Sequence, residues 1–118
     1  MWAGLEGWRD AHGACAVSGE HSLPALEAAH VRPYADGGAH ALPNGLLLRA
    51  DIHRLYDAGY VTVTPDHSFR VSHDLFADFH NGREYERFAG RTITVPHALT
   101  DQPDAELLDW HHEGVFRG

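Results

Sequence analysis

Leu26-Glu27-Ala28-Ala29-His30-Val31-Arg32-Pro33-Tyr34 leads, through a glycine-rich stretch, to Asn44-Gly45-Leu46-Leu47-Leu48 and then to His53-Arg54-Leu55-Tyr56-Asp57-Ala58-Gly59. Ala25 to Val31 is a mostly apolar run that stops before Pro33, which reads as a strand ending at His30. Residues 34–44 hold Asp36-Gly37-Gly38 and close on Pro43-Asn44-Gly45, the composition of a loop. Leu46 to Tyr56 contains no breaker and Gly59 follows as a C-terminal stop, so this segment is expected to contain a helix.

Upstream, Cys15-Ala16-Val17 is a short apolar run closed by Ser18-Gly19, and reads as an earlier strand. Residues 2–12 suit a short lead-in helix. Downstream, Tyr60-Val61-Thr62-Val63-Thr64 and Ser68-Phe69-Arg70-Val71-Ser72 flank Pro65-Asp66 and predict a hairpin. Leu75 to Arg87 reads as helical, Arg91 to Pro96 as a further strand, and Asp104 to Phe116 as a closing helix with Leu107, Leu108 and His111 on one face. The expected order is strand, strand, loop, helix, then hairpin, strand and helix: one α+β domain over residues 1–118.

With 118 residues and 43% hydrophobic content the chain is of ordinary globular make-up. No apolar run approaches the roughly 20 residues of a membrane span, and the start shows no secretory pattern. The single cysteine, Cys15, excludes an intrachain disulfide and a CxxC zinc knuckle. A cytoplasmic protein with no membrane partner is expected. The net charge of −8 counts against a nucleic-acid partner if taken alone. Its distribution softens that objection, because residues 30–57 are neutral and the acidity gathers at the two ends. All nine basic residues are arginine, the side chain suited to bidentate phosphate contacts.

The polar residues inside this frame carry the chemistry. His30 closes a strand, Asn44 stands at the loop exit, and His53 and Asp57 are four apart on the expected helix, hence on one face. Together those two could offer a nitrogen and an oxygen to one cation. Phosphodiester hydrolysis needs an activated water, charge neutralisation and help for the leaving oxygen. A neutral imidazole accepts a proton near neutral pH, a divalent ion stabilises the negative charge, and a side-chain amide can orient the imidazole.

These segments, with Cys15-Ala16-Val17-Ser18-Gly19 before them and Leu108-Asp109-Trp110-His111-His112-Glu113 after, resemble the HNH endonuclease superfamily, and most of all its restriction-endonuclease-like group. The resemblance implies a ββα-metal (His-Me finger) core over about residues 14–59, with the hairpin and C-terminal helix added over 60–118. It implies His30 as the general base, Asn44 as the motif's middle residue orienting the base or supporting the site, and His53 as a metal ligand, with Asp57 where some branches have a second. Arg32, Arg49 and Arg54 are the candidates for nucleic-acid contact. One divalent ion is implied, Mg²⁺ first and Mn²⁺, Ni²⁺ or Zn²⁺ as alternatives. DNA is the implied partner, with a homodimer or a separate recognition domain or subunit supplying further affinity.

The sequence departs from the broader pattern at two places. Many members carry His or Asp immediately before the base as a metal ligand; here that residue is Ala29. Arg49 and Ile52 stand where a CxxC pair would flank the helix, so no structural zinc is expected. The rival reading is a non-catalytic or partner-dependent nucleic-acid-binding module that keeps the fold. A plain turn-forming role is the alternative for Asn44, and packing on the core is the reading preferred for Trp110 and His111.

Overall fold

The computed structural model describes Gly7, residues 10–39 and residues 41–118, without the side chains of residues 80–83. Most of the expected lead-in helix therefore lies outside the described residues, although 10–12 are helical, and so does His40. The centre of the molecule is an antiparallel pair, β1 (Leu26–His30) and β2 (Gly45–Arg49), covered by helix α1 (Ala50–Asp57). The register runs from Leu26 opposite Arg49 to His30 opposite Gly45.

The strand expected at Cys15-Ala16-Val17 is instead a buried turn. Gly19, at a positive φ of 79°, lets the chain reverse, and its N–H bonds the Cys15 carbonyl at 3.0 Å before any ladder can extend. Two bonds tie the turn to β2: Ala16 N–H donates to the Leu47 carbonyl at 2.8 Å, and Arg49 N–H to Cys15 Sγ at 3.3 Å. The two strands of the ββα unit are thus the one ending at His30 and the one that begins the segment expected to be helical. Leu46, Leu47 and Leu48 are all fully buried, which an extended segment between β1 and the rest of the core achieves and an amphipathic helix does not. Burial here overrides the helical propensity of leucine. Helix α1 begins only after Arg49, whose backbone is still extended.

The hairpin is present as β3 (Val61–Val63) and β4 (Phe69–Val71). The predicted helix from Leu75 to Arg87 divides into α2 (His73–Asp78), capped by the Ser72 hydroxyl, and tighter 3₁₀ turns over His80–Phe88. Residues 91–96 do not form the expected strand. Their bonds pass from Phe69 to His67 and then to Ala16, so only a single bridge, Thr92 to Ser68, is made. Helix α3 (Ala105–Gly114) closes the fold, its first turn capped by the Asp104 carboxylate accepting from Glu106 N–H at 2.8 Å.

The core joins Leu26, Ala29 and Val31 to Leu46–Leu48, Ile52, Tyr56, Val61, Val63, Phe69 and Leu108. Gly59, at φ 84°, ends α1 where the C-terminal segment returns. A Cβ there would lie 2.3 Å from the Val115 carbonyl oxygen, so the close approach of the two segments requires glycine. Among the described residues no helix is long and apolar enough to cross a membrane.

Candidate active site

His30 occupies the last position of β1 opposite Gly45, which has no side chain to crowd its ring. It is half-buried and lines a cavity of about 300 Å³. His53 and Asp57 of α1, Tyr34 and Asp36 of the loop, and Trp110 of α3 line the same cavity. Strand end, loop and helix therefore bring three of the residues singled out in the sequence (His30, His53 and Asp57) onto one concave surface.

The His53 ring lies between two carboxylates. Its Nε2 is 3.2 Å from Asp57 Oδ2, and its Nδ1 is 2.7 Å from Glu27 Oε1. The hydrogen bond to Asp57, with a further one to Glu27, outweighs partial burial and raises the His53 pKa above its usual value. In the neutral ring that keeps Nδ1–H on Glu27, Nε2 is the deprotonated nitrogen, and with its proton displaced that atom and Asp57 Oδ2 could both turn to one cation. The 3.2 Å gap between Nε2 and Oδ2 is close to the roughly 3 Å between neighbouring ligands of an octahedral ion with bonds of about 2.1 Å. The donor pair thus fits one hard or borderline divalent ion. Among the described residues no group of three His, Cys, Asp or Glu side chains forms a ready-made cluster, so water and phosphate oxygens would complete such a shell, as Mg²⁺ prefers.

Glu27 is the site residue that reasoning from the sequence missed. It is the one acid of β1, two residues before Ala29. The Ala29 side chain is itself buried in the core. A carboxylate does reach this region from β1, but from position 27, and it bonds the imidazole on the helix.

Asn44 is 1% exposed, and its amide is spent on the loop that follows His30. Oδ1 accepts from Arg32 N–H at 2.9 Å, while Nδ2 donates to the Arg32 carbonyl at 2.9 Å and the Ala39 carbonyl at 2.7 Å. Its own carbonyl accepts from Val31 N–H at 2.9 Å. These bonds clasp the chain on both sides of the loop. Gly38 packs into the clasp: a Cβ there would fall 1.7 Å from the Arg32 carbonyl oxygen.

The three candidate arginines lie apart. Arg32 stays near the cavity, with Nε donating to the Asp36 carbonyl at 2.7 Å and its guanidinium 5.3 Å from the Trp110 ring centre. Arg54 is exposed on α1. Arg49 is at the other end of β2 from the Gly45 position that faces His30, paired with Asp51.

His111 lines the cavity wall and is structurally engaged. Its Nε2–H donates to the Tyr56 carbonyl at 2.8 Å, its Nδ1 accepts from the Thr62 hydroxyl at 2.7 Å, and its ring stacks on Tyr56 at 3.7 Å. Burial lowers its pKa to about 4, so the ring is neutral in the native protein at ordinary pH.

Residues 15–64 match the family described as HNH endonuclease. The fold is similar to a solved structure titled "Modification dependent TagI restriction endonuclease", with a TM-score of 0.63 and 16% sequence identity. That likeness covers 96% of this chain and 37% of the other, so the chain spans little more than a third of its structural neighbour. No functionally curated protein matches the sequence. Residues 15–64 thus carry the sequence pattern of an HNH endonuclease, and the chain shares its α+β fold with that solved structure.

Proposed function

We propose that this HNH-type chain is a metal-dependent endonuclease that hydrolyses DNA phosphodiester bonds. The observation that carries the reading is the meeting of His30 with the His53–Asp57 donor pair on one cavity at the open end of the ββα unit. The match of residues 15–64 to a nuclease family supports it independently.

In this reading the neutral His30 imidazole accepts the proton of the attacking water. Asn44 holds the segment just after His30, so that the ring keeps its place beside the cavity. His53 and Asp57 hold the divalent ion, Mg²⁺ first among the candidates, which when bound supplies stabilisation of negative charge on the phosphate and the leaving oxygen. Glu27 keeps the His53 ring turned toward Asp57. Arg32 is the cavity-side cation available to the substrate backbone. A separate recognition domain or a second copy would supply affinity that a chain of net charge −8 lacks.

The test is nicking of a supercoiled plasmid by purified protein with Mg²⁺, Mn²⁺ or Ni²⁺, against chelator and against His30→Ala. Metal-dependent nicking abolished in His30→Ala is the expected result; nicking that survives the substitution removes His30 as the base. A non-catalytic binding module is favoured by one observation, the two-donor set left by Ala29. Retained DNA binding with no turnover under any of the three metals would select it.

A further inference from the structure

The end of the ββα unit away from His30 carries a second concave surface of different chemistry. A groove of about 450 Å³ is lined by Arg49, Arg87, Arg91, Phe88, Glu20 and His21, among others. Three guanidiniums converge on the Phe88 ring, at 5.8 Å for Arg49, 4.7 Å for Arg87 and 5.5 Å for Arg91. One third of the basic residues of a chain with net charge −8 thus meet around a single side chain.

Ring contacts of this kind compensate the repulsion among three like charges only in part. Asp51 neutralises Arg49, taking its Nε at 2.7 Å and Nη2 at 3.0 Å, which leaves Nη1 for another acceptor. Arg87 and Arg91 are exposed and have no ion pair among the described residues. Glu20 is the one acid on the groove, and its Oε2 is occupied by the N–H groups of His21 and Ser22. The groove therefore sets two exposed guanidiniums without ion pairs, Arg87 and Arg91, beside the paired Arg49, with room for an anionic group.

We propose that the Arg49–Arg87–Arg91 groove binds the phosphodiester backbone of the DNA substrate, away from the cleaved bond. The inference rests on the nuclease reading and adds to it the place where substrate is gripped. Helix α1 spans about 12 Å from its Arg49 end to Asp57, the length of roughly three to four nucleotides of a strand rising about 3.4 Å each. Planar guanidiniums suit phosphate oxygens, and such contacts fix position without reading sequence. This distribution would let an acidic protein hold a polyanion: three of its nine arginines meet at the contact, against the two acids Glu20 and Asp51.

The test is fluorescence anisotropy of a labelled short DNA duplex with the full chain in chelator, over a range of salt concentrations. Wild type is compared with Arg87→Ala/Arg91→Ala and with the charge-conserving Arg87→Lys/Arg91→Lys. The alanine pair should weaken binding at least about tenfold and lower the slope of log K against log salt by about 2, one unit for each lost phosphate contact. The lysine pair should keep the slope while losing part of the affinity, which separates charge from misfolding. Wild-type affinity and slope in the alanine pair would overturn the groove, as would absence of duplex binding by wild type. Nicking that needs His30 alongside an unaffected alanine pair would overturn the groove alone. A full salt effect in protein that never nicks plasmid would overturn the nuclease reading alone.

Discussion

Acidification should weaken the fold well before the carboxylates titrate, and His111 is the reason. Its ring is 2% exposed, stacked on Tyr56 and bonded at both nitrogens, one as donor to the Tyr56 carbonyl and one as acceptor from Thr62. Protonating Nδ1 would turn that acceptor into a donor and place a charge between two neutral groups. Burial lowers the pKa from 6.5 to about 4. A group whose folded pKa lies below its unfolded one binds fewer protons in the native state between those values. Stability is then fully present above pH 6.5 and is lost progressively down to pH 4. At about 1.4 kcal/mol per pH unit the loss reaches about 3 kcal/mol, a large fraction of the roughly 5–15 kcal/mol of a small domain. Buried His12, lowered to about 4 mainly by burial, adds in the same direction. Urea unfolding at pH 7.5, 6, 5 and 4.5 should show the decline, and His111→Gln should remove about half of it while lowering stability at pH 7.5. An NMR titration that places His111 near 6.5, or an unchanged pH slope in His111→Gln, would remove His111 as the source of the acid sensitivity.

Other perturbations test the site. Glu27→Ala should lower Mn²⁺ affinity about tenfold or more by calorimetry, because His53 loses the acceptor that fixes its ring, while the unfolding midpoint changes little. Asn44→Ala strips three bonds from buried loop backbone and should cost about 2–4 kcal/mol in urea unfolding, with the loop between Arg32 and Ala39 losing amide-exchange protection. Gly38→Ala forces a Cβ onto the Arg32 carbonyl and should destabilise by at least about 2 kcal/mol, whereas Gly13→Ala, where a Cβ meets nothing within 4 Å, should cost less despite its positive φ. Equal costs at the two glycines would show that backbone conformation and not the clasp decides.

What could be read from the sequence was local. The hairpin was legible because Val61, Val63, Phe69 and Val71 alternate around Pro65-Asp66, and the last helix because Leu107, Leu108 and His111 are spaced for one face. Residues 46–48 were not legible as a strand, since three leucines without a breaker satisfy a helix equally well until a partner strand is present. The Arg91–Pro96 segment has strand composition, yet its neighbours change every two residues. The same division holds at the site. His30, His53 and Asp57 could be named as candidates because the resemblance to the HNH pattern rests on local segments, a strand end and an i, i+4 helix pair. Glu27 depends on the register that sets it opposite Leu48, near the start of α1, and the three-arginine groove depends on where 87–91 pass over the end of β2. No spacing in the sequence predicts either.

Ala29 is where these two levels meet. With the strand position before His30 buried in the core, β1 cannot offer a ligand there. A carboxylate at position 27 contacts the imidazole rather than completing a three-donor cluster. In the proposed nuclease the metal shell would then have two protein donors, which would hold an ion weakly unless substrate oxygens joined it. Tight metal binding would then require DNA on the protein, and DNA would need a grip independent of the metal. The exposed guanidiniums of Arg87 and Arg91 meet that requirement, so metal affinity measured with an uncleavable duplex should exceed that of the free protein in wild type, and the gain should shrink in Arg87→Ala/Arg91→Ala. Equal metal affinity with and without duplex would break the link between the two sites.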